Sequence, residues 1–239
     1  MRNSLIAKSI VFLLLNPLIN NSALSKNIDE QFISTQLEEI LNESNNDLMK
    51  ELFLKKSFSQ FNKNYLAFRK KYKDAKWSIQ SLRNNQNKSL LEIKITATRQ
   101  INDQIYNLYT KQTVKIDTYK NKIKEYKVLN EESILNTQNS PLIIKILSPE
   151  KVLTGERYEM NLIIKDPLDN SLTASGMIVI KNRDNINISN DMFGIKPNQS
   201  GGLFKYIQAP LKTGYQTISA IITHPEGIYS ITKKIKVGL

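Results

Sequence analysis

The chain has one histidine and no cysteine, and these two counts limit the chemistry that its side chains can perform. Without cysteine there is no thiolate nucleophile, no Cys/His zinc site and no disulfide. His224 lies beside Pro225 in a turn pattern, with no nucleophile-elbow sequence near it. We therefore predict an exposed turn histidine, and we predict no catalytic residue, no metal site and no cofactor.

Paired carboxylates are the other groups that could work as acid and base. Glu38 and Glu39 are neighbours in a helical pattern, so their side chains point apart. Glu131 and Glu132 alternate across a strand pattern or the start of a linker. We expect both pairs mostly at the surface, which leaves no well-placed general base.

Aromatic and basic residues in the first half could form two kinds of binding site. Aromatic side chains on predicted strands could line an apolar cavity that carries a few hydroxyl groups, with core packing as the alternative. The candidate lining residues are Trp77, Tyr106, Tyr109 and Tyr126. A run of positive charge could contact an anionic membrane surface, with a solvated helix end as the alternative. This run comprises Arg69, Lys70, Lys71 and Lys73.

The net charge of +12 is concentrated in one part of the chain. Residues 50–130 carry 19 basic and six acidic side chains, whereas residues 26–49 carry one and six. Lysine supplies 28 of the 34 basic residues, although phosphate and base contacts favour arginine. We predict no nucleic-acid partner.

Residues 1–25 have the pattern of a secretory signal peptide. Arg2 and Lys8 precede the apolar run 10–15, and Ala23 and Ser25 are small residues at a cleavage site. The run is far shorter than the roughly 20 residues that span a bilayer. We predict export and cleavage into the periplasm or the extracellular space, with an uncleaved anchor as the alternative.

The first half of the predicted mature chain combines helices with a strand meander. Apolar spacing predicts helix over 28–56, interrupted at 42–46, and a third helix around Phe61 to Phe68. Period-two patterns then predict four antiparallel strands, which are 75–80, 91–98, 104–119 and 122–135, with turns at 84–87, 102–103 and 120–121. Long strands joined by tight turns twist, so this sheet should curve around the helices.

This order of elements, closed by the segment 121–135, is similar to that of the NTF2-like (nuclear transport factor 2-like) superfamily. The resemblance covers roughly residues 28–135 and rests on pattern. It implies a cone-shaped α+β domain over 26–135, with a cavity between helices and sheet and homodimerisation through the sheet. It implies no particular activity.

The second half is predicted to be all-β. Residues 136–141 form a polar linker that ends in Pro141, and short β segments separated by turn signals follow over 142–239. The seven segments are 142–147, 157–165, 175–181, 185–189, 203–208, 215–223 and 228–237. This number and spacing indicate a seven-stranded β-sandwich. The stretch 211–220 resembles the start of the sixth strand of immunoglobulin-like domains, without their cysteines and buried tryptophan.

These patterns together predict an exported, non-enzymatic binding or assembly protein of the cell envelope. Its partner would be an envelope protein or a glycan, bound at an edge or loop surface of the second domain. One alternative is a small-molecule-binding protein or enzyme that uses the cone cavity. The other is a peripheral membrane-surface protein that uses the basic face of residues 50–130.

Overall fold

A computed structural model of the chain describes residues 30–82, 89–165, 172–180, 194–198 and 201–238. These residues form two compact units. The N-terminal unit contains residues 30–99 and Tyr109–Glu131. The C-terminal unit contains Gln100–Leu108 and residues 132–238. The predicted signal peptide lies outside the described residues.

Three helices open the N-terminal unit. They are α1 (Glu30–Glu43), α2 (Asn46–Leu52) and α3 (Lys55–Lys71). The predicted break is confirmed, because Ser44 has a positive φ and the side chain of Asn45 accepts a hydrogen bond from the Leu48 N–H, as an N-cap does. The described helices include none that is long and apolar enough to cross a membrane.

Four long strands follow in the predicted order. They are β1 (Lys76–Leu82), β2 (Leu90–Ile101), β3 (Gln104–Tyr119) and β4 (Lys122–Thr137). β1 and β2 are antiparallel, and Trp77 stands opposite Ile95. Lys120 and Asn121 both have positive φ, as a two-residue hairpin turn requires. The predicted turn at 84–87 lies outside the described residues, and the first two residues of the predicted linker, 136 and 137, belong to β4.

Side chains of α1 cover the outer edge of β1, which is the terminal strand in the order β1-β2-β3-β4. The Asn42 side-chain amide accepts from the Trp77 N–H and donates to the Trp77 carbonyl, both at 2.9 Å. Glu38 accepts a 2.6 Å hydrogen bond from the Ile79 N–H. The expectation that Glu38 is simply solvated is therefore wrong, and its carboxylate satisfies a strand edge.

The remaining strands belong to the C-terminal unit. They are β5 (Ile144–Leu147), β6 (Lys151–Val152), β7 (Arg157–Ile164), β8 (Ala174–Ile180), β9 (Lys196–Pro197), β10 (Gly202–Gln208), β11 (Gly214–His224) and β12 (Gly227–Val237). One sheet has the order β4-β12-β11-β8-β9, with β6 beside β12, and the other has the order β10-β7-β5. The predicted strand 185–189 lies outside the described residues. The two-residue strands β6 and β9 were not predicted.

Alternate side chains from both sheets share one hydrophobic core. Its members include Met160 and Leu162 of β7, Ile218 of β11, and Ile231 and Ile235 of β12. β11 and β12 pair in register along their full lengths. Their opposite faces are also buried, where the hydroxyls of Ser219 and Thr232 lie 3.1 Å apart. Because both faces are buried, these strands lack the simple polar–apolar alternation of a one-sided sheet.

Candidate functional site

Two of the four predicted lining residues lie among aromatic side chains of α3. The Trp77 ring has its centroid 5.6 Å from that of Tyr65 and 5.7 Å from that of Phe68. The Tyr126 ring meets Phe61 edge-on at 5.1 Å. These distances are those of packed aromatic pairs, so α3 and the sheet fill the space between Trp77 and Tyr126 at least in part.

The other two lining candidates occupy different surroundings. Tyr109 is 38 % exposed and lies on the outer face of β3, opposite its buried neighbours Leu108 and Thr110. It therefore cannot line an interior, because successive strand residues point to opposite faces. Tyr106 is buried in the C-terminal unit, and its hydroxyl donates to the side-chain carbonyl of Gln104 at 2.8 Å.

Arg69 uses all of its guanidinium donors within the N-terminal unit. Its Nε donates to the Tyr65 hydroxyl, and its two terminal nitrogens donate to backbone carbonyls. Those carbonyls belong to Leu41, Asn42, Lys73 and Ala75, at 2.8 to 3.0 Å. An arginine has five N–H donors, so none remains for an anion. These bonds give Arg69 a structural role, because they join α1, α3 and the segment before β1, and contact with an anionic surface stays a prediction.

The three lysines of the predicted basic run differ from one another. Lys70 and Lys73 are exposed, and they remain available to solvent. Lys71 is half-buried, and burial together with the nearby Arg99 lowers the pKa of its ammonium group. Within this run, Lys70 and Lys73 are exposed enough to contact an anionic surface, whereas Lys71 is half-buried and has a lowered pKa.

A buried polar group in the N-terminal unit was not predicted. Glu131 is 2 % exposed and accepts a 2.8 Å hydrogen bond from the Gln112 side-chain amide, itself buried. Burial, together with the charge of Glu131, raises the pKa of Tyr126. The expectation that Glu131 is mostly at the surface is wrong. The alternation of buried residues in β4 is interrupted, because Val128 is buried and the next buried residue is Glu131, three positions later. A strict alternation from Val128 therefore misplaces Glu131.

His224 ends β11 in a half-buried position rather than in an exposed turn. Its Nδ1 accepts a 3.1 Å hydrogen bond from the Glu226 N–H, and its Nε2 is buried without a hydrogen-bond partner. The imidazole therefore accepts the hydrogen bond of a main-chain N–H in the β11–β12 turn. The described residues contain no cluster of three or more side chains suited to hold a metal ion.

The C-terminal unit has an open groove with a volume of about 760 Å³. One wall is the second half of β8, from Met177 to Ile180, and the other is the second half of β10, from Lys205 to Gln208. Residues 209–211 extend the second wall, and Tyr215 and Gln216 of β11 complete the lining. The two walls belong to different sheets, so the groove lies where the sheet edges part.

Side chains that should face the core are exposed in this groove. Val179 stands opposite the fully buried Ile218 and shares its face, yet 36 % of Val179 is exposed. Lys205 alternates with the core residues Leu203 and Ile207 and is also exposed. The groove is therefore an opening in the hydrophobic core, which is the kind of concave, mostly apolar surface that binding sites use.

A buried hydrogen-bond network fixes one end of the groove. The Tyr158 hydroxyl donates to the Gln216 side-chain carbonyl at 2.8 Å, and the Gln216 amide donates to the Gln208 backbone carbonyl at 3.0 Å. Burial raises the pKa of Tyr158, so its hydroxyl keeps its proton and remains a donor. The floor of the groove is thus held in place by satisfied polar groups.

Among the described lining residues, Lys205 is the one charged side chain, and none of them is a carboxylate. Tyr206, which also belongs to the lining, lies under the Arg157 guanidinium at 4.5 Å, and a hydrogen bond with Glu159 raises its pKa. Leu211 is 87 % exposed at the rim. An apolar segment that carries negative charge complements this surface best.

Sequence reasoning did not identify the groove, because its signal is spread over three strands. The pattern of β10, GLFKYIQ, places a lysine between two core positions, which is a local departure from alternation. Leu211 follows Pro210 in a turn, where a large apolar residue is also out of place. These two anomalies are the signals that could have indicated it.

A comparison with protein families gives a match that covers the groove. No curated protein matches the chain. The matching family is described as a domain of unknown function (DUF8623), and the match covers residues 139–238. These residues run from before β5 to the end of β12 and include every lining residue of the groove. The strand-rich part of the chain after β4 is therefore similar to this domain family.

Proposed function

We propose that this chain is an exported, non-enzymatic binding protein whose groove in the C-terminal unit accepts a segment of an envelope protein. The observation that carries the proposal is the exposure of core-facing side chains, Val179 above all, between the edges of β8 and β10. Exposed apolar surface of this kind marks interaction sites. Export rests on the pattern of residues 1–25.

The finer fold assignments belong to the same proposal. An NTF2-like N-terminal domain is supported by three helices followed by four long strands in meander order. An immunoglobulin-like C-terminal domain is supported by two sheets that share one core. In both cases the support comes from the number and order of the elements, and no family-specific motif contributes to it.

The two alternative functions have less support. In the N-terminal unit, Trp77 and Tyr126 already pack against side chains of α3, so a ligand there would have to compete with them. The carboxylate of Glu131 is a buried polar group in the same unit. A membrane-surface role would rely on Lys70 and Lys73, because the guanidinium of Arg69 is fully engaged. We therefore place the binding function in the groove.

Selection of peptides tests this proposal. Residues 26–239 would be presented with a displayed library of random heptapeptides, and the enriched peptides would be measured by isothermal titration. Leu211→Glu places a carboxylate on the rim, and burying that charge against an apolar ligand should weaken binding about tenfold or more, or about 1.4 kcal/mol.

The matched control is Leu172→Glu. Leu172 is 84 % exposed in the same unit and does not line the groove, so its substitution should leave the affinity unchanged. If no peptide is enriched, or if both variants weaken binding equally, the groove is not the binding site. Circular dichroism of both variants confirms that each is folded.

A further inference from the structure

We propose that the partner segment binds as an added β-strand along the edge of β10, with an acidic side chain opposite Lys205. This inference rests on the proposed function and specifies its partner as an extended segment of alternating apolar and polar residues. Strand addition of this kind draws affinity from main-chain hydrogen bonds and specificity from alternate side chains.

β10 is the terminal strand of its sheet, because it pairs with β7 on one side and the described strands leave its other side without a neighbour. Such an edge presents a row of main-chain donors and acceptors. Three other edge strands are either covered by side chains or very short. β1 is covered by Asn42 and Glu38, and β5 and β9 are only four and two residues long.

Among the residues that the structure describes, no strand pairs with the outer edge of β10. Its seven residues contain no proline, and the described contacts on the groove side engage one of its backbone carbonyls, that of Gln208, which accepts from the Gln216 amide. The stretch from Gly202 to Ile207 therefore offers the six residues that a short added strand requires.

The side chains of β10 dictate the pattern of the segment. Leu203, Lys205 and Ile207 lie on the core-facing side of β10, and of these Lys205 and Ile207 line the groove. Phe204 and Tyr206 lie on the other face of the strand and are exposed, although Tyr206 also belongs to the lining. Directly opposed side chains on paired strands have Cβ atoms about 5 Å apart, so each selects its neighbour. The groove-facing residues of the segment should then be apolar, acidic and apolar in turn, at every second position.

Charge also decides against a second copy of this chain as the occupant. Full-length antiparallel pairing of β10 with β10 of another copy is centred on Lys205, the middle residue of Gly202–Gln208. It would place the two ammonium groups opposite each other, and like charges in that position are destabilising. A carboxylate opposite Lys205 has the opposite effect, so the structure favours an acidic partner.

The probe is the synthetic heptapeptide Thr-Val-Thr-Glu-Thr-Val-Thr, with both ends blocked. Its control is Thr-Thr-Val-Glu-Val-Thr-Thr, which has the same composition but places the valines on the face opposite the glutamate. Because a shift of one residue moves a side chain to the other face of a strand, the probe should bind about tenfold or more tightly than the control. Equal binding of the two peptides would overturn the proposal.

Charge reversal tests the role of Lys205. Lys205→Glu should weaken binding of the probe and strengthen binding of a peptide with lysine in place of glutamate. Lys165→Glu, an exposed substitution outside the groove, should change neither affinity. If the two reversals do not compensate each other, an acidic residue does not lie opposite Lys205.

Main-chain hydrogen bonding is tested separately, by N-methylation of the probe at one residue at a time. An added strand directs alternate N–H groups to its neighbour, so methylation should abolish binding at every second residue and be tolerated between them. Uniform tolerance, with binding still sensitive to Leu211→Glu, would overturn strand addition and leave the groove function standing. Dimerisation of the chain that Leu211→Glu abolishes would identify a second copy as the occupant and overturn this proposal.

Discussion

At the scale of single residues, Arg69 joins three parts of the N-terminal unit although its side chain is only partly buried. Five hydrogen bonds and a guanidinium position 4.5 Å over the Trp77 ring connect it to α1, α3 and β1. Arg69→Lys keeps the positive charge but loses the planar fork and leaves carbonyls without donors. We expect the free energy of unfolding to fall by about 2–3 kcal/mol, measured by urea denaturation.

The control for Arg69 is its neighbour Lys70, which is exposed. Lys70→Met should change the free energy of unfolding by less than about 0.5 kcal/mol, as most surface substitutions do. If Arg69→Lys were equally neutral, charge alone would explain the residue, and the predicted role at an anionic surface would gain support.

Residue types predicted the environment of a side chain only where strand alternation holds. In β3 the alternation is regular, and the buried face was predicted correctly with Tyr106 and Leu108 on it. In β4 an interruption before Glu131 moved a carboxylate from the expected surface into the interior. Sequence could also not predict the bonds of Arg69, because they end on backbone carbonyls, which every residue type carries.

At the scale of elements, Gly202 at the start of β10 shows how closely strands approach. Its φ is +151°, and a Cβ there would overlap the Leu162 carbonyl oxygen of β7. Gly202→Ala must therefore shift the β10–β7 pairing, and we expect it to lower the free energy of unfolding by about 2 kcal/mol or more.

Gly201 provides the comparison for this prediction. It also has a positive φ, but nothing lies within 4 Å of an added Cβ. Gly201→Ala should lower the free energy of unfolding by only about 1 kcal/mol, the cost of the backbone conformation, when both variants are measured by urea denaturation. Equal losses for the two variants would contradict the close approach of β10 to β7.

The bounds of β3 and the first helix break were predictable, whereas the bounds of α3, which runs from Lys55 to Lys71 and not only around Phe61 to Phe68, and the strand pairing were not. β3 occupies the predicted 104–119, and the helix break at 42–46 lies where the asparagine cap indicated. The partnership of β12 with β4 and of β10 with β7 joins segments distant in sequence, for which local patterns carry no signal. The groove depends on those partnerships, so it could not be derived beforehand.

At the scale of the whole molecule, buried tyrosines make stability depend on alkaline pH. Burial raises the pKa of Tyr126, Tyr158 and Tyr229 above the ordinary value of about 10, and nearby carboxylates add to this for Tyr126 and Tyr229. Above that pH the unfolded chain has released protons that the folded chain still holds. Stability is therefore unaffected well below pH 10 and declines as pH rises beyond it.

Urea unfolding between pH 8 and pH 11 measures this decline, and absorbance at 295 nm reports which tyrosines ionise. We expect at least three of the ten tyrosines, Tyr126, Tyr158 and Tyr229, to ionise only when the chain unfolds. Ionisation of all ten in the folded state would contradict the assignment of these hydroxyls to water-excluded positions.

The β11–β12 hairpin has a kinetic consequence. Its eleven residue pairs are joined through a turn of only two residues, Pro225 and Glu226, so closing it costs little chain entropy. Hairpins of this kind form within microseconds, whereas partners such as β4 and β6 must diffuse from far along the chain. We therefore expect the hairpin to nucleate the C-terminal unit, and the rate of folding to be set by the search of the remaining strands for it.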